Sequence, residues 1–249
     1  FRECKGQTHI LDAYILLLRS LFKSSLTDQL FSGVYMTGIL PIKKYGHESA
    51  VSDFYEYTMV DPCPLQEYIG FTETEVEMLC KKYQKDYALM QQWYDGYFVG
   101  GIHVYNPKSV MESILRNKFS SYWTKTETYE ALRDYIDMNF DGLKDAVIDM
   151  LGGAVCEVDT GSFQNDMTSM KSKDDVLTLL IHLGYLAYDE EKQTVGIPNV
   201  EIRQEFIRAI KNGNRTELMR AIQRSDDILR ATWQMDGGTV AELINEIHD

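Results

Sequence analysis

The most regular pattern of apolar positions lies near the start of the chain. Leu11, Tyr14, Ile15, Leu18, Leu21 and Phe22 recur at i, i+3, i+4, i+7, i+10 and i+11, which is one face of an amphipathic helix. Arg19 falls off that face and reads as a solvated helix arginine. A short apolar run follows, Val34-Tyr35-Met36 and Ile39-Leu40, bounded by Gly33 and Pro41, and its length predicts a strand. A run without alternation suits a parallel sheet covered on both faces, so helix then strand predicts an αβ unit. Ser49 to Met59 predicts a short helix or turn and then a strand ending near Val60. Asp61-Pro62-Cys63-Pro64 breaks the pattern, because each proline restricts its neighbour.

Beyond the prolines the helical period dominates. Thr72 and Glu75 have the spacing of a capping box, and Val76, Leu79, Cys80 and Tyr83 continue an apolar face behind it. A second helix is predicted from Tyr87 through Trp93. Asp95-Gly96 and Gly100-Gly101 are turn signals, and the apolar residues Phe98-Val99 and Ile102 to Tyr105 beside the second predict a hairpin. Asn106 with Pro107 marks the next helix start, with Val110, Ile114 and Leu115 as its buried face. Helices are expected over Tyr129 to Met138 and Phe140 to Leu151, the second ended by Gly152-Gly153, with Val155 to Val158 as a strand. Asp174 or Asp175 then opens a helix carrying Val176, Leu179, Leu180 and Leu183. Tyr185 to Tyr188 and Thr194 to Ile197 predict two strands joined by a turn at Asp189 to Lys192, and Asn199 caps a helix bearing Ile202, Phe206 and Ile210. Helix, hairpin, helix over 173–212 is the order of a winged-helix module. The remainder, with Leu218, Ile222, Leu229, Trp233, Val240, Leu243 and Ile244, is expected to be helical.

Composition narrows the class. The chain has 249 residues, 44% of them hydrophobic and 12% aromatic, enough for a real core. A formal net charge of -13 opposes a broad electrostatic surface for nucleic acid. The four cysteines, at 4, 63, 80 and 156, form no C-x-x-C pair, and no histidine stands at ligand spacing from them. Free thiols in a reducing cytosol are the natural reading, and no apolar run has membrane-spanning length.

Candidate chemistry centres on Thr37-Gly38. At the C-terminal end of a parallel strand a hydroxyl beside a glycine can meet a phosphate or an attacking water; otherwise Thr37 ends a strand and Gly38 permits a turn. Lys43 and Lys44 follow, either beside that crevice or in a solvated loop. A Walker A loop needs G-x-x-x-x-G-K-S/T. Gly33/Gly38 and Gly96/Gly101 have the glycine spacing, but Ile39-Leu40 and Ile102-His103 stand where the Lys and hydroxyl are required. Nuclease chemistry needs clustered carboxylates with a lysine. Glu201 and Glu205 share a helix face, but no strand carries the E-x-K pattern, and the pair reads as part of a solvated helix. The five histidines are scattered and no metal site is expected. Arg203, Arg208, Lys211, Arg215, Arg220, Arg224 and Arg230 give 199–230 a small positive excess, which keeps a DNA-binding or protein-interaction module without catalysis as the competing class.

Five blocks carry a resemblance: Tyr35 to Gly46, Trp93-Tyr94-Asp95-Gly96-Tyr97, Val104-Tyr105-Asn106-Pro107, Ser121-Tyr122-Trp123-Thr124-Lys125-Thr126 and Phe163-Gln164-Asn165-Asp166. In content and order they resemble the bacterial AAA-ATPase-like family. Its members are P-loop NTPases of the AAA-like/STAND type, usually fused to a C-terminal PD-(D/E)XK nuclease-like domain. The resemblance implies an α/β remnant of a P-loop NTPase core over 1–60, a helical lid-like region over 61–172, the winged-helix-like module over 173–212 and a helical linker over 213–249, mostly α overall. Phe1-Arg2-Glu3-Cys4-Lys5 resembles the residues after the Walker B aspartates, so the chain reads as a middle piece of a longer, cytoplasmic protein. Thr37 takes a sensor-like position, and Gly38, Lys43 and Lys44 fall on the nucleotide side. ATP and Mg2+ are implied for the full-length parent and none for this chain alone. Nucleic acid reached through the parent, and self-association, are the partners the resemblance admits, with no membrane.

Overall fold

The computed structural model describes residues 8–22, 27–38, 54–123, 142–161, 170–211 and 230–248, together with 140, 163, 227 and 228. The described residues are mixed α/β, about half of them helical, with two small antiparallel sheets. Helix α1 (Thr8–Phe22) forms where the apolar period places it, and α2 (Thr27–Leu30) follows. Only part of the expected face is covered. Ile15 and Leu18 are buried, whereas Tyr14, Leu16, Leu17 and Leu21 are exposed. Phe22 meets Phe54 edge-on at 5.2 Å.

The strand expected at Val34-Tyr35-Met36 is not formed. These residues have no ladder partner and stand exposed, Tyr35 at 82%. A continuous apolar run becomes a strand only when neighbouring strands and two covering layers exist for it, and the described residues supply neither. Tyr55 to Val60 likewise forms no strand.

From Phe71 onward local signals and structure agree closely. Strand β1 (Phe71–Thr72) runs into α3 (Glu73–Tyr83) through the capping box. The Thr72 hydroxyl accepts from the Glu75 amide, and Glu75 Oε2 accepts from the Thr72 amide at 2.8 Å. Asp86 caps α4 (Tyr87–Tyr94). Strands β2 (Tyr97–Val99) and β3 (Ile102–Tyr105) pair antiparallel around Gly100-Gly101, both at positive φ, and β1 joins the far side of β3. Asn106 caps α5 (Pro107–Arg116). Val76, Cys80, Met90, Tyr94, Tyr105, Val110 and Ile114 fill the core of this first lobe. Leu115, expected inside, is 74% exposed.

The second lobe contains α6 (Leu143–Leu151), β4 (Cys156–Glu157), α7 (Lys173–His182), β5 (Ala187–Asp189), β6 (Thr194–Gly196) and α8 (Val200–Lys211). Strand β6 lies between β4 and β5, antiparallel to both. Ser172, rather than Asp174 or Asp175, is the N-cap of α7, and Asp175 completes its capping box. Helix α7 is apolar nearly all round, and Val176, Leu177, Leu179, Leu180 and Ile181 are all buried between α6, the sheet and α8. A helix wrapped on every side has that pattern, whereas a surface helix has one stripe. Residues 230–233 are helical, and α9 (Gly237–His248) follows. The two sheets meet where β2 lies beside β5. Tyr97, Val99 and Val104 form a small cluster there with Met59 and Ala187.

Candidate functional site

Among the described residues, the buried carboxylates lie between these two lobes, within a set of hydrogen-bonded groups. The end of α4 supplies the first. Tyr94 is fully buried, donates its hydroxyl to the Ser120 carbonyl at 2.9 Å and accepts from the Ser120 amide at 3.1 Å. Burial pushes its phenol far up, so it acts as a neutral donor and acceptor. Asp95 ends the helix. Its Oδ1 accepts from the Gly96 amide at 2.6 Å and lies 3.1 Å from His103 Nδ1. The Asp95 carbonyl accepts from Asn199 Nδ2 at 2.8 Å, while Asn199 Oδ1 caps α8 by accepting the Ile202 amide. Gly96 has φ +110, and a Cβ there would come within 2.0 Å of the Pro198 carbonyl oxygen. Only a residue without a side chain allows the two backbones this approach. Tyr97 then donates to the Gly184 carbonyl at 2.6 Å.

A second segment, 120–123, crosses to α8. Ser121 Oγ donates to Glu205 Oε1 at 2.5 Å, and the Tyr122 amide donates to Glu201 Oε1 at 2.6 Å. Trp123 meets Tyr185 at 5.8 Å between ring centres and covers Gly184, where an added Cβ would lie 2.9 Å from the indole. The carboxylates at the centre are buried, Glu201 at 1% and Glu205 at 0% exposure. Removal from water pushes both acids above the ordinary glutamate range; for Glu201 the nearby Glu205 charge adds to this. Donors from Tyr122 and, for Glu205, from Ser121 and Arg208 oppose the shift without cancelling it.

Glu201 and Glu205 are therefore not the solvated helix pair that their spacing suggests. They are the acceptors around which two lobes close. The sequence holds a weak signal for this: both flank the apolar stripe Ile202, Phe206 and Ile210, and the hydroxyl-rich 120–122 segment needs acceptors. Neither carboxylate reaches solvent, so a substrate could meet them only if elements packed over them moved away.

Of the residues expected to bind nucleotide, the two that are described do not join this junction. Thr37 and Gly38 are exposed and outside any strand, and Lys43 and Lys44 lie outside the described residues. Of the other blocks, 124–126 and 164–166 also lie outside them, while Phe163 stacks against His182 at 5.5 Å. Burial holds the His182 imidazole below its ordinary range. The Gly96/Gly101 spacing has a different use from phosphate binding, since Gly96 is wedged against Pro198 and Gly101 turns a hairpin. Among the described residues no group of three His, Cys, Asp or Glu side chains could hold a metal ion, and no helix is long and apolar enough to cross a membrane. Comparison with protein-family models, with curated proteins and with solved structures finds no match.

Proposed function

We propose that the chain is part of an AAA-ATPase-like P-loop NTPase whose nucleotide-dependent switching is transmitted through the junction between the two lobes. The observation that carries this reading is the fate of the resemblance blocks. Trp93 to Tyr97 and Ser121 to Trp123 share one use here: they fasten the first lobe to the helix, hairpin, helix unit of α7, β5, β6 and α8, and from the Val104 to Pro107 block Val104 adds an apolar contact in the cluster with Ala187. A block that joins two lobes is suited to carrying movement of one into the other. In this reading that unit is a winged helix packed on a lid, and the protein is cytoplasmic. The apolar residues that α1 leaves exposed, Leu16 and Leu17 at 65% and 53%, are the face a core helix would bury. Thr37 takes the sensor-like position, with Gly38, Lys43 and Lys44 on the nucleotide side, once the rest of the NTPase core is present with ATP and Mg2+.

A DNA-reading role fits less well. Helix α8, which would enter the groove in such a module, is packed against α4 as well as α7. Arg203 Nε donates to the Leu151 carbonyl, and Arg208 to Glu205.

The test is single-turnover ATP hydrolysis by the longer parent protein and its Thr37→Val variant at equal folded fraction. Removing a hydroxyl that contacts the γ-phosphate or attacking water lowers the rate by roughly tenfold to a hundredfold, with nucleotide affinity changed much less. The 249-residue chain alone turns over no ATP. Equal rates in parent and variant remove Thr37 from the chemistry. A parent that neither binds nor hydrolyses nucleotide overturns the reading.

A further inference from the structure

Glu201 and Glu205 stand at i and i+4 on α8, so their side chains are neighbours one helical turn apart. Three of their four carboxylate oxygens can be placed. Glu201 Oε1 accepts the Tyr122 amide. Glu205 Oε1 accepts both Ser121 Oγ and Arg208 Nη1, and Glu205 Oε2 is buried with no hydrogen-bond partner in the structure. The groups facing the pair from packed elements are Tyr94 from α4, Tyr97 from β2, Ser109 from α5, and Ser121 and Tyr122 from the crossing segment. All are neutral at physiological pH. Ser109 Oγ lies near Glu201 without reaching hydrogen-bond geometry. Further along α5, Glu112 is engaged by Arg116, and the Asp95 carboxylate turns to His103. On α8 itself Arg203 donates to the Leu151 carbonyl. Among the described residues the cation hydrogen-bonded to the pair is Arg208, whose own side chain is 45% exposed and so shares its charge with solvent.

Two buried carboxylates thus face one partly solvated cation. A buried carboxylate left without an opposing charge takes up a proton instead of remaining ionised. We propose that Glu201 and Glu205 form a proton-linked clasp, holding one shared proton while they fasten 120–123 to α8 and loosening when that proton leaves. The directions of both acidities agree with this. A folded state that holds a proton more tightly than the unfolded chain is favoured at low pH. The stability it contributes is complete below the ordinary carboxylate range and is lost as pH rises through the raised values. The proposal does not depend on nucleotide chemistry.

The test uses the 249-residue chain, with a carbon-13 titration of its glutamate carboxyl groups and hydrogen exchange at the Tyr122 amide, corrected for intrinsic base catalysis. The expected result has two parts. Glu201 and Glu205 titrate as a coupled pair, shifted to higher pH than the exposed glutamates. The Tyr122 protection factor falls as pH rises through the raised titration of the pair, while α7 amides keep theirs. In E201Q an acceptor oxygen remains for Tyr122 but the titrating charge is gone, so protection no longer changes with pH. If E201Q fails to fold, the wild-type titration decides alone, since it needs no variant. Titration of both acids alongside the exposed glutamates overturns the proposal. So does an equal loss of Tyr122 protection in wild type and variant.

Discussion

Gly96 is placed by two constraints at once. Its φ of +110 disfavours any L side chain, and the Pro198 carbonyl occupies the space a Cβ would need. Gly96→Ala must therefore both strain the backbone and separate two chain segments. We expect a loss of about 2–5 kcal/mol, read from denaturant midpoints at unchanged slope. Gly101 has a φ of +84 but open space where a Cβ would stand, so alanine there isolates the strain alone and costs less. The Asp95-Gly96 turn is legible in the sequence, because turn chemistry is local. Its partner is not, because Pro198 is brought to it only by the packing of the second lobe. The same limit hides the role of Glu201 and Glu205: helix spacing says which residues share a face, and only tertiary contact says what that face meets.

At the scale of elements, the readable parts are those decided within a few residues. Thr72 with Glu75, Asn106 with Pro107, and Asn199 each mark a helix start that forms, since a cap satisfies amides one turn away. Ser172 with Asp175 follows the same capping logic, so the true start of α7 is also written locally, one or two residues before the acids that suggest it. Val34 to Met36 is the opposite case. Its strand depends wholly on neighbours, and the described residues give it none. Helix α7 offers the clearest energetic prediction. Leu180 is fully buried and packs where α6, the sheet and α8 converge, so Leu180→Ala empties a site with little room to collapse. A loss of ~2–5 kcal/mol in urea unfolding is expected, and a loss below about 1 kcal/mol would place Leu180 outside the core.

On the scale of the whole molecule, two cores are joined by a polar seam. The first is built on α3, α4 and α5, the second on α6, α7 and α8, and Tyr97, Val99, Val104 and Ala187 bridge them with the Tyr94, Asp95, Tyr97 and Glu201 hydrogen bonds alongside. Lobes fastened this way should open together. Native-state hydrogen exchange at a pH below the raised titration of the Glu201 and Glu205 pair, where the clasp is closed, compares the slowest amides of α4 with those of α7 in low denaturant. The account predicts that Met90 and Tyr94 open with the same free energy and the same denaturant dependence as Leu179 and Leu180. Separate opening of α4, at lower free energy and with a smaller slope, would contradict it.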